Sequence, residues 1–286
     1  RPDESLAELM AKACLEALRS GARDPAVVDL LTGYASVGEF VAPNELFHVH
    51  QKLELPASAE VLPVADEFTA FLSGLRIAAE RIWSRSSEVA LVAAGSRWSS
   101  NIDHRDPVSV SIGDGAGAAL VRPLGPGAEG VLRLRLVGWN SEVPPGMYGV
   151  MRMSPRKGDD PTTLTDVGAT TRPVFNMLRE SEAVFRQWGV EAPQRIAREL
   201  LSRLHVDPRD VTCVAHQASS FLLDAWQRAL EPVRIEHTIS TLGNMTLASI
   251  PVTLCLCAPT LRTRYVLLLG LGLGIHASAL LLECSP

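Results

Sequence analysis

Two polar side chains, His216 and Asn244, stand out as candidates for chemistry. His216 follows the apolar run Val211-Thr212-Cys213-Val214-Ala215, so it stands at the carboxyl end of a buried strand, where open α/β sheets place ligand chemistry. Asn244 follows Gly243, 28 residues further on. Each also has a plainer reading. A strand-end histidine is often a hydrogen-bonded structural residue, and Asn244 can simply cap a helix over 245–258.

Two glycine-rich segments flank this pair. Gly113-Asp114-Gly115-Ala116-Gly117-Ala118 fits the dinucleotide pattern GxGxxA, which requires a following helix. Pro123, Gly125, Pro126 and Gly127 arrive too soon for one. The segment is therefore read as a tight turn between antiparallel strands over 107–112 and 115–122. The second segment holds Gly270, Gly272 and Gly274 inside an apolar stretch from Tyr265 to Leu282 that carries no Asp, Glu, Lys or Arg. Hydropathy alone would nominate it as a membrane helix. Alternating glycines and His276 argue instead for two buried strands, 264–271 and 276–284, joined by a glycine loop.

The elements that must position these residues alternate between helix and strand. Leu6, Leu9, Met10, Ala13, Cys14, Ala17 and Leu18 recur at helical spacing up to Gly21, giving an amphipathic helix over 6–20. Strands are expected over 27–36, 60–65 and 87–95, with a short helix over 44–53. A helix over 67–84 opens with Phe68 and has Asp66 and Glu67 as capping residues. The second half repeats this grammar with strand 130–138, helices 171–188 and 193–204, strand 211–215, helix 219–230, helix 245–258 and the terminal strand pair. A Pro- and Gly-rich region over 140–172 separates the halves. Near-continuous apolar strands alternating with helices imply sheets covered on both faces, an α/β protein.

Composition narrows the partners. The 286 residues are 47% hydrophobic with a net charge of −5, enough for a large core and without the basic footprint of a nucleic-acid binder. Five cysteines form no CxxC pair, which suits reduced thiols and a cytoplasmic location. Cys255 and Cys257, and His48 and His50, are each two apart, poor spacing for a metal pair, and no metal is expected. The chain opens Arg1-Pro2-Asp3-Glu4 and proceeds into a helix, so no signal peptide is expected.

Taken in order, "SIGDGAGAALV", "VAHQAS", "STLGNMTLASIP" and "LLLGLGLGIHASALLLE" resemble the thiolase superfamily, and within it the β-ketoacyl-acyl carrier protein synthase III group and its natural-product relatives. The resemblance implies a thiolase-like fold of two pseudo-repeated halves, 1–125 and 126–286, stacked in five α/β layers. It also implies a dimer joined through the strand at 87–95. In that family a cysteine at the amino end of a buried helix takes an acyl group from a thioester. A His and an Asn then bind the second thioester's carbonyl and promote decarboxylation and condensation. His216 and Asn244 match these two residues, and Gly272 lies near the glycine whose N–H completes an oxyanion hole. Trp98 and Arg105 fall where relatives contact the pantetheine carrier.

The nucleophile does not carry over. "VLPVADEFTAFLSGLRIAAERI" places Phe68 at the cysteine position, followed by Thr69, whose unactivated hydroxyl lies one helical step away and is a weak nucleophile, so that Thr69 is expected to bind substrate. The first strand and loop of the relatives also have no counterpart ahead of the helix at 6–20. The implied function is an acyltransferase or decarboxylase that works on a coenzyme A or acyl carrier protein thioester without a covalent cysteine intermediate. It would use no cofactor beyond that substrate carrier. The alternative is a catalytically silent subunit paired with an active homologue. A homodimer suits the first and a heterodimer the second; neither involves nucleic acid or membrane.

Overall fold

The computed structural model describes residues 4–40, 42–102, 107–125, 132–154, 174–177 and 182–285. The first sheet has the order β2-β1-β3-β4, built from β1 (Leu30–Ser36), β2 (Glu60–Pro63), β3 (Ala90–Ser96) and β4 (Gly115–Val121). Only β4 runs antiparallel to its neighbour. The second sheet has the order β5-β11-β10-β8-β9, from β5 (Leu134–Glu142), β8 (Val211–Ala215), β9 (Arg234–Glu236), β10 (Tyr265–Leu271) and β11 (Ala277–Cys284). Here β9, β8 and β10 are parallel, while β11 is antiparallel to β10 and to β5. Four strands thus repeat one topology in both sheets. The fifth, β5, has no described counterpart beyond β4. A separate hairpin pairs β6 (Met151–Ser154) with β7 (Val174–Met177).

Alternation along the strands sorts side chains into three cores. Leu31, Leu91 and Ala93 pack under α1 (Leu6–Ser20) and α2 (Leu46–Lys52). Leu30, Val92, Val214 and Leu268 face a shared middle layer containing α3 (Ala70–Trp83) and α7 (Ser249–Cys257). Cys213, Leu267 and Leu269 pack under α4 (Glu182–Arg203) and α5 (Ser220–Leu230). The result is five layers, with a short α6 (Ile239–Leu242) leading into Asn244.

Local chemistry explains several boundaries. Ser5 and Glu8 form a reciprocal capping box at the start of α1, satisfying donors that the helix leaves free. One continuous α4 replaces the two helices expected over 171–188 and 193–204, with Pro193 inside it. Proline has no N–H for the carbonyl four residues back. That carbonyl, on Gly189, instead accepts from Trp226 Nε1 at 2.9 Å, so a neighbouring helix makes good the missing bond.

Other expectations need correction. Residues Pro107–Ser111 form a 3-10 turn and not a strand, so Gly113-Asp114-Gly115 is no hairpin. The fifth strand lies at 134–142, four residues later than expected, because its ladder with β11 extends to Glu142 opposite Ala277. β3, the strand expected at a dimer contact, is wholly buried between β1 and β4; the edges of that sheet among the described residues are β2 and β4. Asp66 makes no capping bond, and residues 67–69 form a 3-10 turn ahead of α3. No helix among the described residues is long and apolar enough to cross a membrane.

Gly33 lets β1 and β3 meet. Its φ is +117°, and a Cβ there would lie 2.0 Å from the Ala93 carbonyl oxygen. Gly33→Ala should therefore lower stability by roughly 3 kcal/mol, combining backbone strain with overpacking, read as a lower urea midpoint at an unchanged slope.

Candidate active site

β8 and β10 end side by side, and the parallel ladder continues one step further through the His216 N–H, which donates to Leu269 O at 2.8 Å. Gln217 anchors the next step. Its amide donates to Ala215 O and Glu236 O and accepts from the N–H groups of Thr238 and Ile239. Ser219 caps α5 by accepting from Leu222 N–H. Within His216-Gln217-Ala218-Ser219, Gln217 and Ser219 thus hold backbone, and His216 is left for chemistry.

Asn244 is delivered by a glycine loop pinned to residues 111–113. Gly243 has φ +70°, the left-handed region that favours glycine. Asn244 N–H donates to Ser111 O at 2.6 Å, and Gly113 N–H donates to Asn244 O at 2.9 Å. A Cβ on Gly113 would come within 2.3 Å of Leu242 O, so the glycine-rich segment serves close approach of two loops. Asn244 Oδ1 accepts from Thr246 N–H at 2.8 Å. Thr246 Oγ1 in turn donates to Ser96 Oγ at 2.6 Å, fastening the loop to the end of β3.

The structure brings the Asn244 side chain to the His216 imidazole. His216 is 1% exposed, and burial lowers its pKa to about 4, the neighbouring Asn244 side chain opposing that shift. The imidazole is therefore neutral near pH 7. Its Nδ1 is buried without a hydrogen-bond partner, a cost of about 1–3 kcal/mol.

Phe68 lies directly on this pair. Its ring centroid is 5.3 Å from that of His216 and 5.2 Å from that of Trp98, the latter edge to face. Trp98 is fully buried and donates from Nε1 to Ser36 Oγ at 2.9 Å. It is therefore a wall of the site, not the surface contact to a carrier that its position suggested. Arg105 lies outside the described residues.

Thr69 and Gly272 also need correction. Thr69 is wholly buried, and its hydroxyl bonds Asp66 O, Asp66 Oδ2 and His276 Nε2; it positions this corner and is not free to bind substrate. Gly272 N–H donates to His276 O at 2.7 Å, closing the glycine loop, so it is not available to an oxyanion. The imidazole of His276 lies where a Cβ on Gly272 would go. His276 Nε2 is 3.1 Å from Asp66 Oδ1, and Ser73 donates to Asp66 Oδ2 at 2.5 Å. Burial would raise the Asp66 pKa, but the bonds from His276 and Ser73 outweigh it and the pKa is lowered.

Sequence reasoning gave Glu67 only a capping role. It sits at φ +42° beside Phe68, its Oε2 accepts from Ser36 Oγ at 3.3 Å, and burial raises its pKa. The polarity of the Asp66–Glu67 pair was visible, but not that the chain would turn Glu67 inward. No cysteine substitutes for the missing nucleophile: Cys213 belongs to the core under α4 and α5, and burial pushes Cys14 up to about 12 and Cys257 up to about 11. His50 Nε2 lies 3.1 Å from Pro56 O.

The lowered His216 pKa gives a pH signature. Between pH 6.5 and about 4 the native state binds fewer protons than the unfolded chain, so stability present above 6.5 is lost as pH falls through that window. Its size is at most about 3 kcal/mol. Comparing urea unfolding of the wild type and His216→Gln across this range should show a steeper acid loss in the wild type.

The comparisons with known proteins converge on this arrangement. Residues 64–137 match the family described as 3-oxoacyl-[acyl-carrier-protein] synthase III, and residues 191–284 match its C-terminal part. β-Ketoacyl-[acyl-carrier-protein] synthase III 4 of Streptomyces coelicolor is 29% identical over 88% of this chain and 74% of its own. The priming β-ketosynthase of the R1128 polyketide pathway superposes with a TM-score of 0.84 at 26% identity, covering 100% of this chain and 84% of that one. The 3-oxoacyl-(acyl carrier protein) synthase III of Pseudomonas aeruginosa gives 0.82 at 25% identity, over 100% and 86% respectively. With more than half its length matched and the same mixed α/β fold, the chain belongs to the 3-oxoacyl-[acyl-carrier-protein] synthase III family, within the thiolase superfamily.

Proposed function

We propose that the protein acts on an acyl or malonyl thioester of coenzyme A or acyl carrier protein, as a decarboxylase or acyltransferase that forms no covalent cysteine intermediate. The observation that carries this reading is the His216–Asn244 pair itself: a buried, neutral and incompletely satisfied imidazole beside a half-buried amide. A structural histidine gains nothing from a buried nitrogen without a partner. A thioester carbonyl oxygen is a fitting ligand for such a pair. With Oδ1 of Asn244 held by Thr246, the amide NH₂ remains to donate alongside the neutral imidazole.

Loss of carbon dioxide from a malonyl thioester leaves an enolate whose charge collects on the carbonyl oxygen. Two preorganised donors stabilise that charge, and no nucleophile is needed. The relatives' names support a carrier-linked substrate, and a polyketide priming enzyme among the similar structures supports natural-product biosynthesis. For a carbonyl to reach His216, the Phe68 ring must swing off it. Phenylalanine supplies no bond-forming atom, so acyl transfer would run directly from thioester to acceptor.

The contact between Phe68 and His216 favours one second reading. If Phe68 stays in place, the pocket is filled, and the chain is a silent subunit pairing with a cysteine-bearing homologue.

Malonyl-thioester decarboxylation should be measurable in the wild type and fall at least about 10²-fold in His216→Ala; undiminished turnover in that variant would sink the enzyme reading. Activity appearing only after mixing with an active homologue would select the silent subunit. Phe68→Cys places a thiol at the start of a helical segment, where its pKa falls. Intact-protein mass spectrometry after incubation with an acyl-coenzyme A should then show one acyl adduct, absent from the wild type.

A further inference from the structure

We propose that Glu67 is the proton-transfer residue of this site, taking the proton from the O–H or N–H of an acceptor that attacks the thioester carbonyl directly. This rests on the acyl-transfer reading above and assigns the group that reading lacks.

A site without a cysteine must bring acceptor and thioester together and remove the acceptor's proton as the new bond forms. His216 is poorly suited to that task, since it is almost wholly buried and burial lowers its basicity. Glu67 precedes Phe68, whose ring touches both His216 and Trp98. Trp98 Nε1 donates to Ser36 Oγ, and Ser36 Oγ donates to Glu67 Oε2. The carboxylate is thus one hydroxyl away from the indole that walls the pocket, next in the chain to the Phe68 ring that lies against His216. It remains partly open to solvent, so an acceptor can approach it.

The backbone supports a functional reading. Glu67 holds φ +42°, a conformation that costs a side-chain-bearing residue about 1–2 kcal/mol, and among the described residues its carboxylate has the long 3.3 Å bond from Ser36 alone. A half-buried, strained, thinly bonded carboxylate weakens the fold, a combination that recurs where a group is kept for chemistry. The titratable group that acts on it is Asp66, whose charge adds to the effect of burial, while Glu67 itself raises the pKa of Tyr34. Asp66 is committed to His276, Ser73 and Thr69. Both influences keep Glu67 closer to neutrality than an ordinary carboxylate, which suits a base.

The step balances without any other reactant. The acceptor's oxygen or nitrogen forms a bond to the acyl carbon while its proton passes to a Glu67 carboxylate oxygen. The bond from acyl carbon to sulfur then breaks, and the departing thiolate takes the proton back. The products are an ester or amide and the free thiol of the carrier, with Glu67 returned to its starting state.

The test uses the whole protein, a short-chain acyl-coenzyme A and a panel of small alcohols and amines, with release of free thiol as the readout. Glu67→Gln keeps the shape and can still accept from Ser36. It should cut acceptor-dependent thiol release about 10²-fold and abolish the acidic limb of the pH–rate profile, while its melting temperature stays equal or rises. Glu67→Asp, which shortens the reach but keeps the charge, should restore that limb at a reduced rate. If Glu67→Gln transfers acyl groups as fast as the wild type with the same pH profile, the assignment is wrong. If the wild type decarboxylates malonyl thioesters yet no acceptor raises thiol release, Glu67 has no acceptor to deprotonate and the assignment also fails, leaving the decarboxylase reading intact. If the wild type does neither, the parent reading itself falls.

Discussion

The middle layer is the constraint on which the rest depends. α3 and α7 are packed between two sheets, with Phe71 and Leu72 of one and Ile250 of the other in a core shared with Val92, Val214 and Leu268. That packing brings the amino end of α3 against the carboxyl ends of β8 and β10. It also lays the loop before α7 across Ser111, Ile112 and Gly113. His216, Asn244 and Phe68 therefore meet because three apolar interfaces meet. No single motif places them. Loosening this layer would separate the donors before it unfolded either sheet.

Within that frame the site divides into a satisfied part and an unsatisfied one. Asp66, Thr69, Ser73 and His276 form a closed hydrogen-bonded cluster tying the start of α3 to the glycine loop. His216 and Glu67 are its opposite: one is buried with a bare nitrogen, the other strained with a single long bond. Rigid support next to underused polar groups is how a fold keeps reactive side chains in place at some expense of stability.

Much of this was legible in the sequence. The pattern from Val211 to His216 marks a strand end, alternation fixed the terminal strand pair against the membrane-helix alternative, and four ordered segments marked the family. What escaped was decided by partners far along the chain. Gly272 appeared to be a free donor because nothing local shows that His276 O takes its N–H. Thr69 appeared available because His276 lies 207 residues away. The segment at 107–112 reads as a strand by its alternation, but its backbone is drawn into a turn that meets Asn244. Two helices, 171–188 and 193–204, stood where one continuous helix runs through Pro193, since sequence alone cannot show a bond arriving from elsewhere.

That bond has a meaning for how the molecule holds together. The Gly189 carbonyl, orphaned by Pro193, is completed only when Trp226 of α5 is seated. The two helices on the outer face of the second sheet are thus joined by a polar contact as well as by the shared apolar cluster. Neither can open alone without leaving an indole N–H and a carbonyl both unpaired in an apolar setting. The outer layer should consequently protect its amides from exchange as one cooperative unit, and the half of the molecule that carries His216 inherits its rigidity from that coupling.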